Sequence, residues 1–295
     1  MRPIVVGRGQ IKTMADVYKF LRPGMTVRIP SGIYNEQLLL ASGVRFELDP
    51  GAVIDYGADD WFPTVTVGGQ QVLNCTVTGG TIKRSGSSGS AGVVITNNSN
   101  VRIESTIIVE TKSYPIGIEV LNGTLIYNGT IRSNGPCLHI KGGNVVANGK
   151  FTSIDDYCLW VSNDNPYAEV RGEVYSVKNS AIQLAAGHLT FEGRAISEGL
   201  FGLEMSGGNG IFRNSYFESK KDGGKEVGDA ISKYSGEELV LDNCVMKCLN
   251  PDAFSIAEQG RTMSVTLASD CRANRTVSPL ITLTGAGQLI VEETI

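Results

Sequence analysis

Gly117-Ile-Glu-Val-Leu-Asn-Gly-Thr-Leu-Ile-Tyr-Asn-Gly-Thr-Ile-Arg-Ser133 is answered, 20 residues on, by Cys137-Leu-His-Ile-Lys-Gly-Gly-Asn-Val-Val-Ala-Asn-Gly-Lys-Phe-Thr-Ser153. The two stretches agree position by position: small, apolar, x, apolar, a Gly/Asn turn, then alternating residues to a second Gly. The pattern recurs at Cys158, Ala181, Gly202 and Ala230, with spacings of 21, 23, 21 and 28, and upstream at Gly92. A period of about 22 residues is that of a solenoid. The paired apolar positions (Val93/Ile95, Ile118/Val120, Leu138/Ile140, Leu159/Val161, Ile182/Leu184, Leu203/Met205) alternate with one outward residue, which is strand periodicity. Gly123, Gly143, Gly187, Gly208 and Gly236 form one corner column. Gly129, Gly149, Gly172, Gly193, Asn214 and Asn243 form another. Both columns hold residue types that tolerate φ > 0.

The repeat predicts an all-β fold, a single-stranded right-handed parallel β-helix with equivalent positions stacked at about 4.8 Å. Gly117, Cys137, Cys158, Ala181, Gly202 and Ala230 then become an internal column of small residues, with the two cysteines acting as small apolar side chains. Thr13 to Leu21 reads as a short amphipathic helix capped by Thr13 and stopped by Pro23-Gly24, positioned to cover the first coil. The expected organisation is a cap over residues 1–26 and one β-helix domain over residues 27–295. The closing Gln288-Leu-Ile-Val-Glu-Glu-Thr-Ile295 reads as strand without a cap. An open strand edge of that kind predicts a partner over the last coil, either a further copy in a homo-oligomer such as a trimer or another protein of the same assembly.

The 295 residues carry 26 basic and 30 acidic side chains, a net charge of −4, with 41% hydrophobic residues, enough for a large core. The densest basic stretch, Lys220, Lys221 and Lys225, is broken by Asp222 and Glu226 and reads as a solvated loop, so nucleic acid is not an expected partner. Six cysteines include no C-x-x-C pair, and with two histidines they predict neither a zinc site nor any cofactor. No apolar run is long enough for a membrane span. The N-terminus lacks the pattern of a secretory signal, which leaves synthesis in a cytoplasm with reduced thiols as the expected setting.

Val27-Arg-Ile-Pro-Ser-Gly-Ile-Tyr-Asn-Glu-Gln-Leu-Leu-Leu40 followed by Val44-Arg-Phe-Glu-Leu-Asp-Pro-Gly-Ala-Val-Ile54 resembles the opening coils of the pectin-lyase-like β-helix superfamily, on its Pro30-x-Gly32-x-Tyr34 turn and Glu36. That superfamily includes pectate lyases, pectinesterases, polygalacturonases and bacteriophage tailspikes. The resemblance implies the fold, and two functional classes. One is a non-enzymatic virion component (tail, fibre or capsid-decorating protein, located in the virion) that binds surface polysaccharide. The other is a polysaccharide lyase or glycoside hydrolase. The pectinolytic signatures are absent: Asp155-Asp156 and Gly187-His188-Leu189 match only fragments of the polygalacturonase set.

The outward residue of each coil forms a row: Val94, Glu119, His139, Trp160, Gln183, Glu204 and Ser232. A sugar chain along this face would stack on Trp160 and hydrogen-bond to Glu119, His139, Gln183 and Glu204, with Asp156 and Tyr157 beside them. Glu119 and Glu204 are four coils apart, roughly 19 Å, too far for an acid/base pair. Asp59-Asp60-Trp61-Phe62 and the insertion from Ser219 to Asp229 are expected to protrude.

Overall fold

The computed structural model describes residues 3–292, except 68, 88, 164, 223–226, 237 and 259. The chain is an all-β parallel β-solenoid. It divides into two compact units, Met1–Asn134 with Gly142–Asn148, and Gly135–Lys141 with Gly149–Ile295.

In the first unit a short-strand ladder runs Leu38–Leu39, Val65–Thr66, Val93–Ile95 and Ile118–Val120, in parallel register. A long-strand ladder stacks Arg45–Asp55, Cys75–Arg84, Ser99–Val109 and Gly123–Ser133. The cap is a helix at Met14–Tyr18, shorter than the sequence implied. Phe20 N–H bonds Val17 O, tightening the last turn, and Phe20 is left exposed. Thr13 and Asp16 form a capping box, and Met14 and Val17 are buried. The helix is tied to the adjacent coil: Met14 N–H donates to Glu36 Oε2 at 3.0 Å, and Tyr18 Oη links Gln37 O and Leu39 N–H at 2.8 Å each. The Pro30-to-Tyr34 turn closes on itself through Tyr34 Oη to Pro30 O, 2.9 Å.

The second unit stacks the short strands Leu138–Ile140, Leu159–Val161, Ile182–Leu184, Leu203–Met205, Ile231–Lys233 and Ile256–Glu258. Its long strands Tyr167–Ser176 and His188–Ser197 run unbroken. Beyond them each long strand is split in two, as Asn209–Arg213 with Tyr216–Ser219 and Leu239–Asp242 with Val245–Cys248. The split coincides with the change of the corner column from glycine to asparagine. Gly193 bends at φ +148, still close to extended, and any Cβ there would lie 1.9 Å from Gly172 O. Asn214 and Asn243 sit in the left-handed helical region at φ 48 and 51, which ends a strand. Their amides then form a ladder, Asn243 Nδ2 to Asn214 Oδ1 at 2.9 Å.

The interior follows the repeat. Cys137, Cys158, Ala181 and Ala230 are fully buried, and all six cysteines are free thiols. Phe191, Phe212 and Phe217 pack within 5.2–6.5 Å of one another between ring centres. Truncating such a ring costs roughly 3–5 kcal/mol. Lys233 breaks the apolar column: it is 2% exposed, and Nζ donates to Ser264 O at 3.0 Å. Burial pushes its pKa down. The strands Ile281–Gly285 and Leu289–Val291 bear out the reading of the final segment as strand up to Val291. Residues 293–295 lie outside the described residues, and Leu280, Ile290 and Val291 are exposed.

Candidate ligand-binding site

The outward row exists as backbone geometry, but it is not a flat, open face. In the second unit His139, Trp160, Gln183, Glu204 and Ser232 are direct neighbours in register. His139 is only 2% exposed. Its ring lies face to face on Trp160, centres 4.0 Å apart and planes 3° apart, and Nε2 meets Ser162 Oγ at 3.0 Å. Burial first, then the charge of Lys141, pulls its pKa down to about 3, so the imidazole is neutral at physiological pH. Its ring is therefore an apolar shelf for the indole rather than a surface base. In the first unit Glu119 is also buried, because Tyr114 folds over it with Oη donating to Oε1 at 2.9 Å. The expectation that Glu119 and His139 present exposed hydrogen-bonding groups is corrected on both counts.

Trp160, Gln183 and Glu204 remain half-buried. Tyr157 leans on the indole with centres 5.8 Å apart. Burial, then the charges of Glu204 and Asp156, pushes its phenol up to about 12. Glu204 is held by Ser180 Oγ at 2.8 Å and Gln183 Nε2 at 3.4 Å. Trp160 Nε1, Gln183 Oε1 and Ser232 Oγ are buried polar atoms without a hydrogen-bond partner. Each is a group that a polar ligand or water would satisfy. Asp156 turns inward to its own loop, accepting from Tyr157 N–H at 2.8 Å and Asn179 Nδ2 at 3.2 Å. Asp155 is exposed and pairs with Lys178 at 2.5 Å.

Toward Glu204 this row opens into a cleft of about 560 Å³, walled by Tyr157, Phe201, Tyr234 and Phe254 and by the carboxylates of Glu204, Asp229, Asp252 and Glu258. Its construction follows from the repeat. Tyr157, Ser180, Phe201, Asp229 and Phe254 each stand one residue before the buried small column, so they form a second row, three positions before the first. Buried serines at the long-strand ends pin the corners that carry them: Ser176 Oγ to Asp156 O at 2.8 Å, Ser197 Oγ to Asn179 O at 2.7 Å and Ser219 Oγ to Leu200 O at 2.5 Å. Asp229 is 4% exposed. One carboxylate oxygen accepts from Phe254 N–H at 2.8 Å. Desolvation, opposed by that bond and reinforced by Glu258, pushes its pKa up to about 6.

Sequence reading placed Trp160, Gln183, Glu204 and Tyr157 at this site and missed Asp229, Tyr234, Phe254 and Glu258. In the sequence Asp229 reads as the end of a protruding insertion. Within that insertion residues 223–226 lie outside the described residues, whereas Ser219 and Asp229 are structural parts of the coil. Trp61 and Phe62 do protrude, 69% and 61% exposed, on a loop of the first unit. The buried Arg84 holds that loop through Tyr56 O, Asp60 O and the Asp60 carboxylate. No group of metal-binding side chains converges among the described residues, and no helix there is long and apolar enough to cross a membrane.

No family model matches the sequence, and no curated protein matches it. Among solved structures the chain is similar to PfbA, a surface adhesin of Streptococcus pneumoniae. The TM-score is 0.50 at 14% identity, covering 94% of this chain and 78% of that one. A second structure of the same adhesin aligns at TM-score 0.29 and 10% identity over 90% of this chain and 87% of that one, too loosely to add weight. At such identity the likeness bears on the fold alone: both chains are β-solenoids.

Proposed function

We propose that this chain is a non-catalytic carbohydrate-binding β-solenoid, an attachment component of the tail, fibre or decorating type in a virion, which holds a sugar chain in the cleft beside Trp160. The observation that carries the reading is the cleft itself. Aromatic rings and hydrogen-bonding carboxylates converge on one concave surface at the end of a row whose buried polar atoms lack partners. Aromatic faces stack on the apolar faces of sugar rings, and carboxylates accept from hydroxyls. The adhesin role of PfbA supports attachment as a use of this architecture, and the resemblance of Val27–Ile54 to a superfamily that includes tailspikes supports the virion setting. A further copy or a neighbouring virion protein as partner belongs to the same proposal. A monomer by light scattering at high concentration counts against that part.

The test is retention on a panel of immobilised bacterial surface polysaccharides. The wild-type protein is retained on at least one, and Tyr234→Ala lowers retention while circular dichroism stays unchanged. Retention on none of the panel overturns the reading.

A hydrolytic reading is favoured by one observation, the raised pKa of Asp229 among other carboxylates. Glu204 and Glu258, on strands two coils apart, line the same cleft as Asp229. Release of new reducing ends from a retained polysaccharide, lost in Asp229→Asn, replaces the binding-only reading with this one.

A further inference from the structure

We infer that Cys244 and Cys271 are an oxidisable pair, which a small peroxide converts to a disulfide that staples two neighbouring coils. The pair stands apart from the cleft, and neither cysteine is among the described residues that line it. Both side chains sit in the core, 1% and 0% exposed. The strand Val245–Cys248 runs parallel to Cys271–Ala273, with Val245 against Arg272 and Met246 against Ala273. Cys244 therefore stands over Cys271, one coil away. In-register neighbours of this kind lie about 4.8 Å apart between Cα atoms, inside the range that a disulfide spans.

Contact between the two residues is already made. Cys244 N–H donates to Cys271 Sγ at 3.5 Å, and the Cys244 thiol lies within hydrogen-bond reach of the same sulfur. That thiol bond, opposed by burial and aided by the N–H, pulls Cys271 down to about 7 and pushes Cys244 up. Cys271 is thus the sulfur with thiolate character, and the thiolate is the form that oxidants consume. Burial pushes Cys75 up to about 11 and Cys248 up to about 12, which leaves both protonated at neutral pH. The strand paired with Cys271–Ala273 on its other side is Leu289–Val291, whose Ile290 and Val291 are exposed. Opening of that one strand admits a small oxidant to the sulfur.

The reaction runs in two steps with hydrogen peroxide as oxidant. The Cys271 thiolate attacks one peroxide oxygen, the O–O bond breaks, and hydroxide leaves and takes up the proton that Cys271 had released. Cys271 is now a sulfenic acid. The Cys244 sulfur attacks it, an S–S bond forms as the S–O bond breaks, and the Cys244 proton leaves with the hydroxyl as water. Two thiols lose two electrons and two protons, and one peroxide becomes two waters. The product closes a loop of 27 residues, one coil of the solenoid.

The experiment treats the reduced, folded protein with hydrogen peroxide at about pH 7.5, then blocks remaining thiols with iodoacetamide in denaturant and maps the peptides by mass spectrometry. The expected product joins Cys244 to Cys271, two hydrogens lighter than the reduced pair, with the other four cysteines alkylated. Hydrogen exchange in peptides within residues 239–248 and 263–273 should slow by about tenfold or more, and a thiol reductant should reverse this. Cys244→Ala should stop the reaction at the Cys271 sulfenic acid, trapped with dimedone. If that variant is misfolded by circular dichroism, Cys271→Ser should leave Cys244 a thiol under the same treatment. Cys137 and Cys158 are stacked in the same way, preceding Leu138 and Leu159 in register, and serve as the internal comparison. Preferential linkage of Cys137 to Cys158, oxidation of Cys271 to a sulfinic acid beside an intact Cys244 thiol, or six unreacted thiols each overturns the inference.

Discussion

Replacing His139 with phenylalanine should flatten the acid sensitivity of the coils around Trp160. The phenyl ring keeps the stack on the indole and removes the titrating group. In the folded chain the imidazole pKa is pulled down to about 3 from 6.5, so on acidification the unfolded chain takes up a proton that the fold refuses. Stability contributed by the neutral ring is fully present above about pH 6.5 and is lost progressively below it. By about pH 5 the loss is 1.5 pH units at 1.36 kcal/mol each, or about 2 kcal/mol. Asp229 acts in the opposite sense. Its folded pKa is raised to about 6 from 3.8, so the fold gains stability as pH drops through 6, about 1 kcal/mol by about pH 5. Global acid response is thus a difference of two terms, and a local readout is required. Solenoids also unfold piecewise, which makes a single midpoint a poor measure. Hydrogen exchange of peptides spanning residues 138–161, corrected for the intrinsic rate, isolates the effect. Between about pH 7 and 5 the wild-type protein should lose roughly thirtyfold in protection there, and His139→Phe should lose almost none. Equal losses in the two proteins would refute the assignment of a buried, neutral His139.

Lys233→Met should stabilise the coils around it, because it replaces a 2% exposed amine in an apolar column with a side chain of similar length; slower hydrogen exchange in peptides spanning residues 231–233 is expected. Gly193→Ala should cost about 3 kcal/mol or more, since its Cβ would press within 1.9 Å of Gly172 O; chemical denaturation would detect this, and a neutral result would mean the two long strands stack less closely than described. Arg84→Met should release the loop that carries Trp61 and Phe62, giving faster proteolysis near residues 56–62 while the remaining coils keep their protection.

The solenoid was legible because burial imposes the same requirement at every coil. Small residues at 137, 158, 181 and 230 and inward pairs such as Leu159/Val161 recur wherever the backbone must stack. The corner columns were legible for the same reason, and even the switch from Gly193 to Asn214 marks where long strands divide. The site was legible only in part. Alternation identifies the residue pointing away from the core, but it does not say whether a loop then covers it, and Tyr114 over Glu119 and Tyr157 against Trp160 are such loops. The second wall of the cleft was present in the repeat as the column Tyr157, Ser180, Phe201, Asp229 and Phe254. It mixes aromatic, hydroxyl and acidic residues, so hydrophobicity alone does not mark it as a column. The insertion ahead of Asp229 further hid its alignment with Phe201.

The most direct measurement of the central claim is the crystal structure of the protein soaked with an oligosaccharide that it retains. Sugar density between Tyr234 and Phe254, with hydroxyl groups of the ligand against the carboxylates that line the cleft, is the predicted result. Density on the long-strand face, or a bound sugar that leaves this cleft empty, would contradict it.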